Sequence, residues 1–338
     1  MDNIQVLDCT LREVALPQYA WGTETMTEIM DLLCRAGVQI VECGFLKNGE
    51  HRQGSSLFSD TGRIDEIANA VKKHGCQIAA LMDYGRFDVS TLPSARDTSL
   101  DIIRVCFKKH ERHVVFDDIK RLQDKGYCVF VQHVDVPSYT EEELLAFLQR
   151  INEVQPEVYC MVDTFGTMYE EDLQPIWMLV NATLKEEIAV GIHGHNNLMM
   201  ANALAISMIR HHGCRNLVVD GTLLGAGRGA GNANTEILLH YLQKYHARPC
   251  DLTAIYRAVD KIRPILDANF QWGYTLPYFM TGITGTHVFN VDYLLAHHPM
   301  TSEQMMQVIG QLDAQQRKKY DYGNLDSLAA ACVAKDKK

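Results

Sequence analysis

Two histidines separated by one residue are the side chains whose spacing most directly suggests chemistry. His193 and His195 follow the apolar run Val190–Ile192. Side chains two positions apart on an extended strand point the same way, so both imidazoles would face one side. Neighbouring imidazoles suit two positions on a divalent metal ion, although strand-end histidines more often bind backbone or water. The pair alone therefore leaves metal binding and a structural role open.

The elements that would position these histidines alternate between short apolar strands and amphipathic helices. Eight strands followed by helices predict an α/β fold, a (β/α)8 TIM barrel, with a doubly wound sheet as the alternative. The connection around Val89–Leu100 is irregular. The predicted strands are Ile4–Asp8, Ile40–Glu42, Gln77–Leu81, Ile102–Phe107, Cys128–Val134, Val158–Val162, Ile188–Ile192 and Leu217–Val219. The predicted helices are Thr27–Arg35, Asp65–His74, Val114–Lys125, Glu141–Val154, Glu170–Thr183, Met199–His212 and Thr235–Tyr245.

Polar side chains recur at the ends of seven of these strands, which favours the barrel. A barrel enzyme builds its catalytic mouth at the carboxyl ends of its strands. Any single member of the set could be a helix cap or a loop residue, but the whole set is harder to explain that way. Its members are Arg12, Glu13, Glu42, Asp83, Asp135, Asp163, His193, His195 and Asp220.

The strand alternation stops near residue 250, so a barrel domain over residues 1–250 and a helical extension over 251–338 are predicted. The extension contains an aromatic stretch, Phe270–Phe279. Its predicted helices are Leu252–Leu266, Thr301–Gln316 and Leu325–Val333.

Composition excludes several classes of partner. The net charge of −10, from 42 acidic and 32 basic residues without a basic block, argues against nucleic acid and anionic membranes. No apolar stretch approaches bilayer-spanning length, and the start lacks the pattern of a signal peptide. Ten cysteines without a CxxC pair predict a reduced, cytoplasmic protein. Those within apolar segments, read as small hydrophobes, are Cys34, Cys43, Cys76, Cys106, Cys128 and Cys160.

Three segments together resemble the DRE-TIM metallolyases, the superfamily of hydroxymethylglutaryl-CoA lyase. Asp8–Glu13 is similar to the D-x-T-L-R-[DE] signature, His193–Asn197 to the histidine motif, and Gly225–Ala233 to the glycine-rich loop. Within the superfamily the chain resembles 4-hydroxy-2-oxovalerate aldolase most, including Gln53–Ser56 and Asp163–Gly166. The resemblance implies a TIM barrel with carbon–carbon lyase activity.

The resemblance also implies a divalent metal held by Glu13, His193 and His195. Asn232 corresponds to a further ligand, or to a residue just behind the ligands, in some relatives. Two imidazoles and one carboxylate with open positions favour Mn²⁺, with Mg²⁺ and Zn²⁺ as alternatives. The glycine loop also resembles a degenerate dinucleotide fingerprint, but no acid-ended strand follows at the required distance. Close backbone approach to the site explains its glycines better.

Roles in catalysis and substrate binding follow from the same resemblance. Arg12 would stabilise an enolate and contact the substrate together with Thr164 and His193. Glu42 would orient Arg12, with a structural ion pair as the alternative. Thr164 would receive the substrate carboxylate, although a threonine there is also a common helix cap. Tyr274 is a catalytic candidate, with core packing as the alternative.

Two positions depart from the aldolase pattern. The aldolases have Asp where this chain has Glu13, although homocitrate synthases have Glu there. The aldolases carry a histidine, the expected base, where this chain has Leu16. The candidate substitutes are Gln18, Tyr19, His51, His133 and Tyr274. The active-site cysteine of hydroxymethylglutaryl-CoA lyase is absent from the glycine loop, which counts against that activity.

The sequence therefore predicts a metal-dependent aldolase that cleaves a 4-hydroxy-2-oxo acid into pyruvate and an aldehyde. A Claisen-type synthase that condenses an acyl-CoA with a 2-oxo acid is one alternative. Another is a barrel subunit of weakened activity that partners an aldehyde dehydrogenase, as the aldolases do. A homodimer is predicted.

Overall fold

A closed parallel sheet of eight strands forms the centre of the molecule, which confirms the predicted TIM barrel. The computed structural model describes residues 3–15, 20–68 and 71–335. The strand order is β1-β9-β8-β7-β6-β5-β4-β2, and pairing of β1 with β2 closes the barrel, while the short β3 lies beside β2. The strands are β1 Ile4–Asp8, β2 Ile40–Leu46, β3 Leu57–Phe58, β4 Gln77–Asp83, β5 Ile102–Phe107, β6 Cys128–His133, β7 Val158–Asp163, β8 Ala189–Gly194 and β9 Leu217–Gly221.

Helices surround the barrel between its strands, close to the predicted positions. The connection between β4 and β5 is irregular as predicted, with two 3₁₀ turns, Val89–Thr91 and Ala95–Asp97, instead of an α-helix. The predicted helix Asp65–His74 is shorter, because an α-helix ends at Ala68 and a 3₁₀ turn follows at Lys72–His74. The helices are α1 Thr10–Glu13, α2 Thr23–Ala36, α3 Gly62–Ala68, α4 Phe116–Asp124, α5 Glu141–Val154, α6 Glu170–Thr183, α7 Ala201–His211 and α8 Thr235–His246.

The two-residue period of the strands divides the barrel interior into layers. Inward side chains at the amino-terminal half form an apolar cluster that includes Ile40, Ile102, Phe130 and Val218. The next inward residue of each of these four strands is polar, since side chains alternate faces along a strand. These four residues are Glu42, Arg104, Gln132 and Asp220, and all four are buried. The apolar floor thus supports a charged layer beneath the carboxyl-terminal mouth.

The carboxyl-terminal region is helical, as predicted, but it contains more helices than the sequence indicates. The aromatic stretch includes the start of a helix, and the predicted helix Thr301–Gln316 is two helices separated at Leu312. The first helix packs in the barrel's main hydrophobic cluster, whereas a second cluster begins at Met280. These helices are α9 Leu252–Asn269, α10 Leu276–Thr284, α11 Val288–His297, α12 Ser302–Gly310, α13 Ala314–Lys318 and α14 Tyr322–Lys335. The division at residue 250 stays a prediction.

Two cysteines correct the expectation that they are only small hydrophobes. Cys34, in α2, and Cys76, just before β4, form a disulfide with their Cα atoms 5.8 Å apart. The sequence could not show this pair, because the two cysteines are 42 positions apart and only the fold of the barrel brings them together. Within the described residues, no helix is both long enough and apolar enough to cross a membrane.

Candidate metal and substrate site

A one-turn helix, α1, places Arg12 and Glu13 at the carboxyl-terminal mouth directly after β1. Buried Asp8 fixes this turn, because its carboxylate accepts the Thr10 amide at 2.9 Å and the Thr235 hydroxyl at 2.5 Å. Burial raises the pKa of Asp8 to about 6. The first and third residues of the D-x-T-L-R-E segment therefore shape the turn, and its last two supply the functional groups.

Glu13, His193 and His195 converge at the mouth, as the sequence predicts. One ligand atom from each lies within 4.8 Å of the others, and all three residues are buried. The Glu13 Oε1 atom is 3.6 Å from His193 Nε2. His195 Nε2 is buried and has no hydrogen-bond partner among the described residues. A buried ring nitrogen without a partner, beside a carboxylate and another imidazole, fits a divalent cation.

The Nδ1 atom of each imidazole donates a hydrogen bond, and this bond fixes the tautomer of the ring. His193 Nδ1 donates to Asp220 Oδ2 at 2.9 Å, and His195 Nδ1 donates to the Asp163 carbonyl at 3.1 Å. Both Nε2 atoms are therefore left with a lone pair, which metal binding requires. Burial lowers the pKa of both histidines, so they stay neutral near pH 7.

A chain of buried ion pairs links the predicted enolate-stabilising arginine to the floor of the site. Arg12 Nε donates to Glu42 Oε2 at 2.7 Å, and Arg12 Nη1 also contacts Glu13. Glu42 Oε2 lies 3.0 Å from Arg104 Nη1, and Arg104 Nη2 contacts Asp220. Glu42 is thus placed to orient Arg12, and Arg104 joins the Arg12 side of the site to Asp220, which holds His193.

Sequence reasoning missed Arg104, and it noted Asp220 without giving it a role. The signal was present in β5, where Arg104 interrupts the run Ile102–Phe107 in the inward phase. A buried charge inside a parallel strand requires partners, and those partners had to come from other inward positions. Assigning alternate residues of each strand to the inside of the barrel would have indicated a charged layer there.

The glycine-rich loop after β9 packs closely against the candidate metal ligands. A Cβ atom at Gly227 would lie 1.9 Å from Asn232 Nδ2 and 3.3 Å from Glu13 Oε2. The glycine therefore permits the close backbone approach that the sequence predicts. Asn232 forms an isolated bridge with His195, and its buried Oδ1 has no hydrogen-bond partner among the described residues. This oxygen is available to a ligand next to His195.

A small cleft of about 20 Å³ adjoins this centre and shares His195 with it. Thr164 lies on this cleft, and its hydroxyl oxygen accepts the Asp135 amide at 2.8 Å, so its own proton remains available for donation. Tyr274 has a side chain that is 56% exposed, and its neighbour Gly273 donates its amide to Gly229 at 3.2 Å. The cleft is lined by Thr164, Phe165, His195, Asn197, Arg228, His287 and Val288.

The candidates for the missing base are placed apart from this cleft or cannot be placed. Leu16, Gln18 and Tyr19 lie outside the described residues. His51 Nε2 bonds the Lys47 carbonyl at 2.8 Å. His133 lies under α5 in an aromatic cluster and bonds the Tyr159 hydroxyl at 2.5 Å.

Two residues on the cleft escaped sequence reasoning. Arg228 lies among the loop glycines, and His287 caps α11 in the carboxyl-terminal extension. Both come from segments whose positions depend on tertiary packing. The only sequence signal was a charged residue in the middle of a glycine-rich loop.

The fold and site define a TIM barrel whose mouth holds a two-histidine, one-carboxylate centre beside a buried arginine. A family model described as HMGL-like matches residues 3–262, and the chain belongs to this family. An oxaloacetate decarboxylase of Mycobacterium tuberculosis is 29% identical over 257 residues, covering 75% of this chain and 74% of the relative. A 4-hydroxy-2-oxovalerate aldolase of Thermomicrobium roseum is 26% identical over 329 residues, covering 92% and 87%.

Among solved structures, the N-terminal domain of a Bacteroides vulgatus protein aligns with a TM-score of 0.71 at 21% identity. The alignment covers 87% of this chain and 97% of that one, and it supports the fold. The matched relatives break carbon–carbon bonds, and the predictions of the superfamily and of a carbon–carbon lyase are confirmed.

Proposed function

We propose that this protein is a divalent-metal-dependent aldolase that cleaves a 4-hydroxy-2-oxo acid to pyruvate, or a pyruvate-like 2-oxo acid, and an aldehyde. The observation that carries the proposal is the convergence of Glu13, His193 and His195 next to the guanidinium of Arg12. Relatives named 4-hydroxy-2-oxovalerate aldolase, about a quarter identical to this chain, support the same activity.

The reaction requires negative charge to be stabilised on the keto oxygen when the bond between carbons 3 and 4 breaks. A divalent cation held by the three ligands, with Asn232 as a further oxygen donor, would supply Lewis-acid polarisation of that carbonyl. Arg12 is fixed in place by Glu42 and adds a permanent positive charge to the same region. A guanidinium held by a buried carboxylate needs no reorganisation during the reaction.

The substrate carboxylate is assigned to the cleft beside His195. The proposed contacts, as the family resemblance implies, are the Thr164 hydroxyl on this cleft and the side chain of His193, whose ring centroid lies 5.1 Å from that of His195. The neutral state of both histidines suits ligation, since a protonated imidazole has no lone pair for a cation. Tyr274 remains a candidate for the base at the alcohol, and Mn²⁺ remains the proposed metal with Mg²⁺ and Zn²⁺ as alternatives.

The proposal is tested by measuring pyruvate release from a panel of 4-hydroxy-2-oxo acids. Protein stripped with chelator should be inactive, and activity should return on titration with one equivalent of Mn²⁺, Mg²⁺ or Zn²⁺. A parallel assay for free thiol detects condensation of acyl-CoA with a 2-oxo acid. Full activity after complete metal removal contradicts the proposal, and thiol release in its place favours the synthase.

A second candidate is decarboxylation of a 2-oxo acid that carries a carboxylate on carbon 3. This reaction forms the same enolate but needs no base at an alcohol, and the chain has Leu16 where the aldolases carry their histidine. The oxaloacetate decarboxylase among the relatives supports it. Release of carbon dioxide from oxaloacetate, without aldehyde formation from hydroxy substrates, would select this activity.

The homodimer and the aldehyde dehydrogenase partner remain predictions. Sedimentation of the purified chain tests the first, and copurification from the source cell at defined stoichiometry tests the second. A self-contained active homodimer would oppose the interpretation of the chain as a weakened partner subunit.

A further inference from the structure

The side chain of Arg228 is a half-buried cation that forms no hydrogen bond or ion pair with any described residue, whereas its backbone carbonyl accepts the Gly231 amide at 3.1 Å. Its guanidinium lies on the cleft beside His195, and its charge adds to the lowering of the pKa of that histidine. Burial lowers the pKa of Arg228, and Asp83, a carboxylate whose charge opposes that lowering, is already 3.1 Å from Arg86. A half-buried guanidinium ordinarily has an anionic partner, because burial without one is costly.

The backbone of the loop that carries Arg228 is held in place by close packing, which positions the Arg228 side chain at the cleft. Gly229 has a φ of +64°, and a Cβ atom there would lie 2.6 Å from Asn197 Oδ1 and 2.8 Å from Val288. Asn197 Oδ1 also accepts the Ala230 amide at 2.9 Å. The backbone that follows Arg228 is therefore packed between the loop after β8 and the start of α11.

His287 adds a hydrogen-bond donor to the same cleft. Its Nδ1 accepts the Phe289 amide at 3.2 Å, so the ring proton resides on Nε2. Burial and the charge of Arg228 lower the pKa of His287 to about 4, which keeps the ring neutral at pH 7. The cleft thus presents a fixed cation and a neutral N–H donor, the combination that binds an anionic oxygen.

The pairing of charges at the mouth points to a second anionic group on the ligand. Arg12 and Arg104 already contact buried carboxylates, which are Glu13, Glu42 and Asp220. Arg228 contacts no carboxylate among the described residues. Because the first substrate carboxylate is assigned to Thr164, the guanidinium of Arg228 is left for a further anion.

We propose that Arg228, with the Nε2–H of His287, binds a second anionic group on the aldehyde half of the substrate. The preferred substrates are then 4-hydroxy-2-oxo acids that carry a carboxylate or a phosphate beyond the hydroxyl-bearing carbon. This inference rests on the proposed function for its chemistry, but the binding preference it predicts can be measured without turnover.

The binding test compares two five-carbon 2-oxo acids that differ only at the far end. Calorimetry on Mn²⁺-loaded protein measures the dissociation constants of 2-oxoglutarate, which has a second carboxylate, and of 2-oxopentanoate, which has a methyl group. Wild type should bind 2-oxoglutarate about 10- to 100-fold more tightly. Arg228→Gln should remove most of that ratio and Arg228→Lys should retain part of it, whereas Arg263→Gln, which alters an exposed arginine paired with Asp267 in α9, should leave the ratio unchanged.

The activity test uses the same logic on cleavage and addition. Cleavage of 4-hydroxy-2-oxoglutarate is compared with that of 4-hydroxy-2-oxopentanoate, and addition of pyruvate to glyceraldehyde 3-phosphate with addition to glyceraldehyde. The first pair tests a carboxylate and the second a phosphate, with products quantified by mass spectrometry.

The outcomes separate this proposal from the proposed function. Equal losses for both members of a pair in Arg228→Gln, or no wild-type preference for the dianion, overturn the anion subsite while aldolase activity stands. A wild-type binding preference that depends on Arg228, in a protein that releases no pyruvate, supports the subsite and overturns the aldolase assignment.

Discussion

The two mouths of the barrel differ in size and in chemistry, and the smaller cavity adjoins the candidate site. The amino-terminal mouth has a cavity of about 370 Å³, against about 20 Å³ for the cleft at the carboxyl-terminal mouth. Amides and apolar groups dominate the larger cavity, where Glu157 is the only carboxylate among the lining residues. Its carboxylate accepts the Val129 amide at 2.6 Å and so already has a partner.

This difference indicates that the candidate active end of the barrel is marked by converging polar groups that lack hydrogen-bond partners, and not by the volume of its cavity. At the carboxyl-terminal mouth His195 Nε2 and Asn232 Oδ1 are buried without hydrogen-bond partners among the described residues, and Arg228 has no anion. Folding leaves such groups unsatisfied only at a cost, which a bound ligand offsets. Substitutions at the two mouths should therefore have effects of very different size.

The largest effect is expected at a metal ligand. His195→Ala should lower kcat on the order of 10³-fold, because it removes a cation ligand and with it the Lewis-acid stabilisation. Bound metal after dialysis, measured by mass spectrometry, should fall in parallel. The matched variant His74→Ala removes a partly exposed histidine that pairs with Asp31 at 2.7 Å, and it should change neither quantity. Full metal content with full activity in His195→Ala would contradict the proposed centre.

Arg12→Lys should give the next largest effect. Lysine keeps the charge but cannot bridge Glu13 and Glu42 as the guanidinium does, so kcat should fall about 10²- to 10³-fold with metal content retained. The control Arg215→Lys alters another arginine, which bonds the carbonyls of Leu184 and Ile188. That variant should lower Tm and leave kcat unchanged. An unaltered kcat in Arg12→Lys would remove Arg12 from the reaction.

Asp220→Asn should weaken metal binding without abolishing it. The carboxylate orients His193 and makes it more basic, and loss of such a partner typically costs 10- to 100-fold in metal affinity. Titration with Mn²⁺ should show the higher dissociation constant, and excess metal should restore most of kcat. The pKa of Asp220 is lowered by Arg104 and His193 against the effect of burial, so the effect should persist from pH 6 to 8.

The convergence of Glu13, His193 and His195 was predictable from the sequence, whereas the charged layer beneath them was not predicted. The HxH spacing and the segment after β1 indicated Glu13, His193 and His195 because local geometry and a family motif determine where they lie. Arg104 was detectable only by strand phase, and its pairing with Glu42 and Asp220 depends on how three separate strands meet in the barrel.

The parts that escaped prediction depend on long-range packing. α10 and α11 follow an aromatic stretch whose apolar residues have no clear period, and their position against the glycine loop brings His287 to the cleft. The Cys34–Cys76 disulfide likewise depends on the contact between α2 and the segment before β4. In contrast, strand bounds were predicted to within a few residues because each strand is buried on both faces.

A pH-dependent effect on stability should separate one residue of the carboxyl-terminal mouth from the site. Burial lowers the pKa of His133 to about 3, below its usual 6.5. As pH falls below 6.5, the unfolded chain binds a proton at this residue that the folded chain does not bind. The contribution of neutral His133 to the free energy of unfolding is therefore complete above pH 6.5 and is lost as pH falls. Between pH 6.5 and 5 the loss should be about 2 kcal/mol.

The variant His133→Phe isolates this contribution. Asp8 and Asp163, whose pKa values burial raises to about 6, act in the opposite direction, since they favour the folded state as pH falls below 6. Both proteins contain Asp8 and Asp163, so the contributions of these carboxyl groups cancel when the free energies of unfolding of wild type and variant, measured with denaturant, are subtracted. The stability difference between the two proteins should shift by about 2 kcal/mol in favour of the variant from pH 6.5 to 5, with kcat little changed. A constant difference would show that His133 binds protons equally in the folded and the unfolded chain, and therefore that burial does not lower its pKa.

The smallest effect is expected at the amino-terminal mouth. Glu157→Gln keeps an oxygen that can accept the Val129 amide and removes only a charge at an exposed residue. Activity should stay within about twofold and stability within about 1 kcal/mol, because neither a buried charge nor an unsatisfied group is created. The steady-state assay and denaturant unfolding used above provide the comparison. A loss of kcat as large as that of Arg12→Lys would mean that the larger cavity takes part in the reaction. The convergence of polar groups would then no longer suffice to locate the active site.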